Sequence, residues 1–560
     1  MTLAKDRKTA DVHIPEQGME IKDEHFVIPE AGLTDEQRKA ALTRLSNYLS
    51  ARQRQFMGYQ TTQNFKYKED LGRFLDYHFN NVGDPFEESH FTLHTRWLER
   101  NVLKHYAKLW QAPPRPEQPT KEDVYWGYVL TMGSSEGNVY ALWNARDYLS
   151  GKTLMVEPSS NGGEPQQVWV QDIAPANNAN AYTPVAFYSQ DTHYSVAKAL
   201  RVLGIPNFYE MGTNLYPHAN PLNPGQPWEK EVPSTDGSKG PGTIDIDKLV
   251  TLVKFFASMG HPILLNLNYG STFKGAYDDV ETICKRLREE VFSKYGLEKR
   301  KVGYGRDPKT GKELVDERTG YWINIDGALG AMYGPHLHQA IEKGLVAEKD
   351  EQGKPIRLPK FDFSIPEVSS IVTSGHKYPG APWPCGIFMT KRSLQMKPPE
   401  KPDVIGSGDT TFGGSRSAFS PVVMWDFLAK HPKQKQIEMI AGCQKLASEL
   451  AGKMAEINDG EWDVHRTPWS LSVWFRKPYD EIVEDFSLAT VSIDGEEYAH
   501  FYVMPHVTRD LAAKLLERLE GSTPAPPPVG QDDWMDVPDG IAEPEDVRRL
   551  AYVPTARQGL

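Results

Sequence analysis

The distribution of apolar positions along the chain divides it into regions of different character. From about residue 120 to 400, short apolar stretches alternate with longer stretches in which apolar residues recur at helical spacing. The predicted strands are 124–131, 185–189, 207–211, 263–267, 321–325 and 368–373. Strands that alternate with amphipathic helices predict an α/β domain built around a largely parallel sheet.

The flanking regions have other patterns. Thr34 precedes a helical pattern and has Gln37 three residues on, a capping-box signature that predicts a helix start. Helices are also predicted around 68–78, 93–111, 432–457 and 508–519, and a Pro-rich break covers 113–119. We therefore expect an N-terminal arm and helical segment (1–115), a large domain (116–415), a small C-terminal α+β domain (416–522) and a Pro-rich acidic tail (523–560).

The charge balance and the cysteines narrow the class of protein. The chain has 560 residues, with 63 Lys and Arg against 75 Asp and Glu, so its formal net charge is 63 − 75 = −12. This balance argues against a nucleic-acid binder. No apolar run approaches the roughly 20 residues that a membrane helix needs, and the N-terminus does not resemble a secretory signal. Cys284, Cys385 and Cys443 are too few and scattered for a disulfide framework or a zinc site, which favours the reducing cytoplasm.

The clearest candidate for chemistry is Lys377. It follows the predicted strand 368–373 and the residues Ser374, Gly375 and His376, and a loop crowded with Pro and Gly comes next. Most lysines are solvated surface charges. Here, however, a hydroxyl, a glycine and a histidine could hold a phosphate while a fixed lysine presents an amine for Schiff-base formation.

Other strand ends supply the remaining parts of such a site. Gly133, Ser134 and Ser135 lie between a strand and a helix, where backbone N–H groups and hydroxyls favour a phosphate; the alternative is an ordinary capped helix start. His193 could stack on an aromatic ring or simply cap a helix. Asp326 follows an apolar strand and could pair with a pyridinium nitrogen or act as an N-cap. Ser271 and Thr272 follow another strand, and 408–416 is a second loop of glycines and hydroxyls. His336 and His338 are two residues apart in a predicted helix, so they do not share a face and are not expected to bind a metal.

The order of these motifs resembles that of the group II pyridoxal-phosphate-dependent amino-acid decarboxylases, in particular the bacterial histidine-decarboxylase-like branch that includes methionine and valine decarboxylases. The resemblance covers roughly residues 55 to 420. The matching stretches are 58–67, 80–85, 133–138, 193–195, 326–328, 374–377, 380–386 and 409–416.

This resemblance implies fold type I, with an aspartate-aminotransferase-like large domain around a mostly parallel, seven-stranded type of sheet, and a homodimer with active sites at the subunit interface. Pyridoxal 5'-phosphate would be bound covalently by Lys377, stacked by His193 and paired at its ring nitrogen with Asp326. The resemblance also implies further cofactor contacts from Gly133, Ser134, Ser135, Thr272, Ala328, Ser374 and His376, and from Thr410 and Ser415 of the partner chain.

The resemblance leaves two points open. Many relatives use a mobile-loop tyrosine as proton donor, but no tyrosine lies between Tyr378 and Tyr479, so His193, Lys377 or a residue outside this loop are the candidates. Gln63, Asn64 and Trp383 would contact the substrate and suit an uncharged side chain, methionine or valine, although histidine or an aromatic amino acid is an alternative. An aminotransferase, another lyase of the same fold, or a binding protein that has lost its cofactor are the rival interpretations.

Overall fold

The computed structural model describes residues 21–114, 124–157, 166–307, 310–396, 403–406 and 408–526. Most of the predicted N-terminal arm, the centre of the Pro-rich break and nearly all of the acidic tail lie outside the described residues. None of the described helices combines the length and apolar composition that a membrane crossing requires.

Thirteen helices and thirteen strands make up the described chain. The helices are α1 (Asp35–Gln53), α2 (Lys68–Leu71), α3 (Arg96–Leu109), α4 (Ser134–Leu149), α5 (Tyr194–Leu203), α6 (Phe208–Leu215), α7 (Ile246–Ser258), α8 (Val280–Leu287), α9 (Gly330–Glu342), α10 (Phe419–Lys430), α11 (Lys433–Glu456), α12 (Asp480–Phe486) and α13 (Arg509–Glu520). The strands are β1 (Tyr125–Leu130), β2 (Lys152–Glu157), β3 (Gln166–Gln171), β4 (Val185–Phe187), β5 (Ile263–Asn268), β6 (Arg300–Arg306), β7 (Glu313–Arg318), β8 (Tyr321–Asp326), β9 (Val368–Ser374), β10 (Gly386–Lys391), β11 (Ser472–Arg476), β12 (Ala489–Ile493) and β13 (Glu496–Tyr502).

The central sheet has the strand order β1-β10-β9-β8-β5-β4. β10 is antiparallel to both of its neighbours, and the pairs β9–β8, β8–β5 and β5–β4 are parallel. β1, β9, β8, β5 and β4 therefore all run in the same direction. The predicted α/β domain with a mostly parallel sheet is confirmed, with six described strands where the resemblance implied seven. Every residue of β4, β5 and β9 is buried, as expected for strands covered on both faces.

Two local predictions were wrong. Residues 207–211 do not form a strand but begin α6, because Asn207 and Glu210 form a reciprocal capping box. This pair satisfies backbone donors at a helix start and outweighs the strand-like run of aromatic and apolar residues. The helix predicted over 68–78 is limited to α2 and a short 3₁₀ turn that ends at Phe74. By contrast, Thr34 and Gln37 form the predicted capping box of α1.

The C-terminal part adds a three-stranded antiparallel sheet of order β11-β13-β12, together with α12 and α13. One hydrophobic cluster extends from the central sheet through α11 into this part of the chain. Two hairpins, β2–β3 and β6–β7, stand outside the central sheet.

A buried ion pair joins α3 to the loop that follows β10. Arg416 and Glu99 are 3% and 0% exposed, and the Arg416 guanidinium donates to the Glu99 carboxylate. The same guanidinium donates to the carbonyls of Val129 and Gly83, and Asn81 donates to Glu99. Because every charge in this group has partners, it fixes the 409–416 loop against the end of β1.

Candidate active site

The candidate site lies at one edge of the central sheet. Because β1, β9, β8, β5 and β4 share a direction, the segments that follow their carboxyl ends meet at the same edge. Ser134, Thr272 and His193 lie in the segments that follow β1, β5 and β4, and Ser374 and Asp326 are the last residues of β9 and β8. The topology thus brings together residues that are up to 240 positions apart in the chain.

Gly133, Ser134, Ser374 and His376 form a small polar cradle at the start of α4. The Ser374 hydroxyl lies 2.9 Å from the Ser134 hydroxyl and accepts from the Ser134 backbone N–H at 3.0 Å. Gly133 has φ +75°, and a Cβ at this position would lie 2.6 Å from His376 Cε1 and 3.1 Å from Ser374 Oγ. Only glycine fits here, so the helix N-terminus, two hydroxyls and an imidazole surround the same space. This combination suits a phosphate group.

Asp326 ends β8 and is held by a chain of buried amides. One carboxylate oxygen accepts from Asn138 Nδ2 at 2.8 Å, and the other accepts from the Ala328 backbone N–H at 3.1 Å. Asn324 donates to the side-chain oxygens of both Asn138 (3.1 Å) and Asn266 (2.8 Å). These hydrogen bonds fix the carboxylate at the end of β8, where it could pair with a protonated ring nitrogen.

Lys377 and His193 interact electrostatically with Asp326 and with each other. Burial lowers the pKa of the Lys377 amine, and the negative charge of Asp326 partly opposes this. Burial also lowers the pKa of His193, as does the charge on Lys377, whereas Asp326 raises it. Both effects favour a neutral amine and a neutral imidazole. His193 Nδ1 lies 2.7 Å from the Ser195 hydroxyl, which fixes the ring at the start of α5.

The N-terminal loop of the same chain packs on the lysine loop. The Thr62 backbone N–H donates to the Lys377 carbonyl at 3.0 Å, and its hydroxyl donates to the Tyr378 carbonyl at 2.8 Å. Beside this junction lies a cavity of about 310 Å³. It is lined by Gln53, Thr61, Thr62, Gln63, Phe65, Tyr67, His376, Gly380, Ala381, Pro382, Trp383 and Pro384. The structure therefore brings the predicted substrate residues Gln63 and Trp383 together with His376.

Other predicted residues occupy different surroundings. Ser135 is exposed, and Asn64 is exposed and donates to the Pro505 carbonyl at 3.2 Å. The Thr272 carbonyl accepts from Gln60 and from Tyr502, which anchors the loop after β5. Thr410 is buried within this chain, where its hydroxyl contacts Tyr128 and Asp84. Ser415 is exposed and accepts from Asn80.

The amides beneath Asp326 are not among the site residues that the sequence predicted. Asn138 lies one turn into α4, and Asn266 and Asn324 lie inside apolar strands. All three are essentially inaccessible to solvent. A polar amide inside a strand that is otherwise buried and apolar was the available signal, because such a group must find a partner in the core.

These surroundings fit pyridoxal phosphate. The cradle around Gly133 accommodates a phosphate but no side chain, Asp326 is a buried carboxylate held by hydrogen bonds, and Lys377 is a desolvated amine. A phosphate site, a carboxylate and an amine at one sheet edge match the three polar ends of this cofactor.

Comparison with known proteins also indicates a pyridoxal-phosphate-dependent enzyme. No protein-family model matches the chain. The crystal structure of L-methionine decarboxylase from Streptomyces sp. 590, in complex with L-methionine methyl ester, is 44% identical, with a TM-score of 0.81, over 90% of this chain and 98% of that one. Histidine decarboxylase from Solanum lycopersicum is 27% identical over 84% of this chain and 85% of its own length. Serine decarboxylase 2 from Oryza sativa subsp. japonica is 26% identical over 90% and 82%, respectively.

The fold and the site define a fold type I pyridoxal-phosphate enzyme. The chain is also 44% identical to a solved decarboxylase over 98% of that protein, which identifies its family. The chain belongs to the group II pyridoxal-phosphate-dependent amino-acid decarboxylases and is a carboxy-lyase that acts on an amino acid.

Proposed function

We propose that this enzyme converts an L-amino acid with an uncharged side chain, most favourably L-methionine, into the corresponding primary amine and CO2. The observation that supports methionine above all is the 44% identity to L-methionine decarboxylase over 98% of that chain. The relatives that decarboxylate histidine and serine are only 26–27% identical.

The cavity beside the lysine loop supports an uncharged substrate. None of the described residues that line it is Lys, Arg, Asp or Glu, so these residues offer no counter-charge to an ionised substrate side chain. Phe65 and Trp383 supply apolar surface, and the Gln63 amide is already hydrogen-bonded to Thr61 at 3.0 Å. Burying an unpaired charge in such surroundings costs several kcal/mol, whereas a thioether or aliphatic chain gains from leaving water. Glutamate and lysine are thereby disfavoured.

Each residue of the site has a proposed role. Ser134, Ser135, Ser374 and His376 bind the phosphate at the start of α4, with Gly133 leaving room for it. Asp326 would pair with the ring nitrogen, and His193 and Ala328 would contact the ring. Lys377 would hold the cofactor through its neutral amine. When bound, pyridoxal phosphate supplies the electron sink for the electron pair of the bond between Cα and the carboxylate.

The protein itself contributes orientation and a dry environment. The Asn138–Asp326 hydrogen bond holds the carboxylate at the position where it would pair with the ring nitrogen. The N-terminal loop, bound to the carbonyls of Lys377 and Tyr378, covers the site from one side. Excluding water here removes hydration that would stabilise the substrate carboxylate, and so favours loss of CO2. His193, with its lowered pKa, is placed to move the proton that returns to Cα.

The substrate proposal is tested by measuring CO2 release from L-methionine, L-valine, L-histidine, L-tyrosine, L-serine and L-glutamate with the cofactor present. We expect kcat/KM to be highest for methionine and negligible for glutamate. Lys377→Ala is the control and should release no CO2. A preference for histidine would refute the methionine assignment while leaving the reaction class intact.

We also propose that the enzyme is a homodimer, as the resemblance to this family implies. α1 has 19 residues and none is buried; Leu42 and Leu49 are 53% and 54% exposed. An isolated helix of this length is marginal in water, so it needs a partner surface. A groove of about 860 Å³ runs along α1 and is suited to a second copy. Phe412, 61% exposed in the 409–416 loop, would then face the partner near its site.

Leu42→Glu combined with Leu49→Glu tests the dimer. Charges placed on this face should shift the protein from dimer to monomer in sedimentation equilibrium at micromolar concentration. Leu215→Glu, at a leucine that is 57% exposed on α6, is the matched control and should leave the mass unchanged. A double variant that is still fully dimeric would exclude α1 from the interface.

A reducing compartment, the cytoplasm, agrees with the state of the cysteines. Cys284, Cys385 and Cys443 are all buried free thiols. Burial raises the pKa of Cys385 and Cys443 to about 12, so both stay protonated and unreactive.

A further inference from the structure

A second cavity, of about 550 Å³, lies between the end of α3, the middle of α9 and the start of α11. None of its lining residues belongs to the candidate active site. It is lined by His105, Lys108, Leu109, Gln111, Pro335, His336, His338, Gln339, Glu342, Lys360, Asp362 and Lys433.

Pro335 is the reason that α9 has an irregular surface here. Proline inside a helix has no N–H to donate to the carbonyl four residues earlier. That carbonyl, of Ala331, accepts instead from the Trp110 indole N–H at 2.8 Å. Trp110 is thus fixed against α9, and the chain then turns at Gln111, whose φ of +54° is rare for a residue other than glycine. The cavity is therefore bounded by a rigid junction between α3 and α9.

The inner wall of the cavity carries a histidine without a partner. His336 is 2% exposed, and neither ring nitrogen forms a hydrogen bond of normal geometry with a described residue, although the nearby Gln436 side chain acts to raise its pKa. Its neighbour His338 differs, because its Nε2 lies 3.1 Å from the Pro359 carbonyl. Burial, and then the charges of His105 and Lys433, lower the pKa of His336 to about 4, so the ring is neutral near pH 7 and offers one N–H. A buried orphan donor costs roughly 1–3 kcal/mol, which a ligand could recover.

The other walls are positively charged. Lys108, Lys360 and Lys433 line the opening, and none of the three forms an ion pair with a carboxylate of the described chain. Lys433 is also the first residue of the 24-residue α11, whose N-cap is Pro432 and has no side-chain group to accept from the first-turn N–H groups. Such a helix start favours a negative charge.

The two acidic residues of the cavity do not cancel this charge. Asp362 already accepts from Gln111 Nε2 at 2.9 Å and from the Ser364 backbone N–H at 3.0 Å, so its oxygens are occupied. Glu342 is exposed at the end of α9. Three lysines against two carboxylates give a locally basic cavity on a chain whose net charge is −12.

We propose that this cavity is a second binding site, separate from the active site, for a small phosphate-bearing molecule whose phosphoryl group lies between Lys433, the start of α11 and His336. Phosphoryl oxygens accept from the unpaired first-turn N–H groups, from the Lys433 ammonium and from the His336 N–H. The remaining volume accommodates a group of metabolite size. The described residues of the cavity contain no arrangement that could hold a metal ion, so the recognition is of an anion.

Inorganic phosphate is the probe, titrated by calorimetry into the holoenzyme, in which the cofactor's own phosphate site is filled. Ionic strength is kept constant with chloride. Lys433→Met removes the charge at the cavity, and Lys435→Met, two residues on in the same helix turn and outside the cavity lining, is the matched control. Loss of one charge-assisted hydrogen bond predicts a Kd about tenfold weaker for Lys433→Met and an unchanged Kd for Lys435→Met. His336→Phe, which keeps a ring of similar size, should also weaken binding.

Lys433 is exposed, so its variant folds and the test does not depend on His336→Phe being stable. Saturable binding that Lys433→Met weakens and Lys435→Met does not would support the site. Absence of saturable binding at millimolar phosphate overturns the proposal. Equal weakening by both lysine variants would also overturn it, because that result indicates only general surface charge.

Discussion

Replacing Asn138 by alanine tests how the protein positions Asp326. The substitution removes the 2.8 Å hydrogen bond from Asn138 Nδ2 to the Asp326 carboxylate. It also removes the acceptor of the 3.1 Å bond from Asn324 Nδ2, which keeps its 2.8 Å bond to Asn266. The Ala328 backbone N–H remains as the other donor to Asp326. The variant therefore removes one of the two donors to Asp326 and one of the two hydrogen bonds that Asn324 donates.

The expected change in kcat follows from the strength of the Asn138–Asp326 hydrogen bond. A hydrogen bond to a charged group contributes about 1.5–3 kcal/mol. If the same free energy stabilises the transition state, kcat falls about tenfold to a hundredfold while KM changes little. The assay is the rate of CO2 release from L-methionine at saturating cofactor, together with the melting temperature of the variant.

Asn144→Ala is the matched control. Asn144 is buried in the same helix, donates to the Tyr140 carbonyl at 2.8 Å and accepts from the Met396 backbone N–H at 2.7 Å, but it does not contact Asp326. Its loss should lower the melting temperature without lowering kcat. If Asn138→Ala and Asn144→Ala have the same kcat, or if Asn138→Ala acts only through KM, the proposed role of the Asn138–Asp326 bond is refuted.

Two further predictions concern stability. Glu99→Gln leaves the buried Arg416 without its counter-charge and should lower the free energy of unfolding by about 3–5 kcal/mol in chemical denaturation. Lys453→Met, in the exposed pair with Glu449, should change the free energy of unfolding by less than about 1 kcal/mol. A small effect of Glu99→Gln would mean that the Arg416–Glu99 pair is not desolvated. Burial raises the pKa of Asp278 to about 7, so between about pH 4 and 7 the folded protein keeps a proton that the unfolded chain releases. The contribution of Asp278 to the free energy of unfolding therefore falls as pH rises through this window, by up to about 4 kcal/mol. Asp278→Asn should remove that part of the pH dependence. An unchanged pH profile of the variant would contradict the raised pKa of Asp278.

The sequence predicted the parts of this molecule that depend on local pattern. Apolar runs located β5, β8 and β9, and the capping pair Thr34–Gln37 located the start of α1, because each signal acts over a few residues. Asp326 and Lys377 could be proposed as site residues because each follows an apolar strand. The strand predicted over 207–211 was wrong because the apolar and aromatic composition of these residues suits a strand. The Asn207–Glu210 capping box starts a helix there instead.

The sequence could not show contacts between distant segments of the chain. Asn138 and Asp326 are 188 positions apart, and nothing near either residue in the chain reveals their hydrogen bond. The resemblance assigned Thr410 to a phosphate site of the partner chain, and the contacts of its hydroxyl with Tyr128 and Asp84 in this chain are determined by the tertiary packing. The cavity around His336 likewise depends on three helices that meet in space.

The most direct test of the central claim is the stoichiometry of products formed from L-methionine by the holoenzyme. The released CO2 and the primary amine are quantified in the same reaction, together with any 2-keto acid. The account predicts one CO2 and one amine for each methionine consumed, with no keto acid above the background seen with Lys377→Ala. Keto acid formed without CO2 would show a transaminase reaction at the same lysine and would contradict the assignment as a decarboxylase.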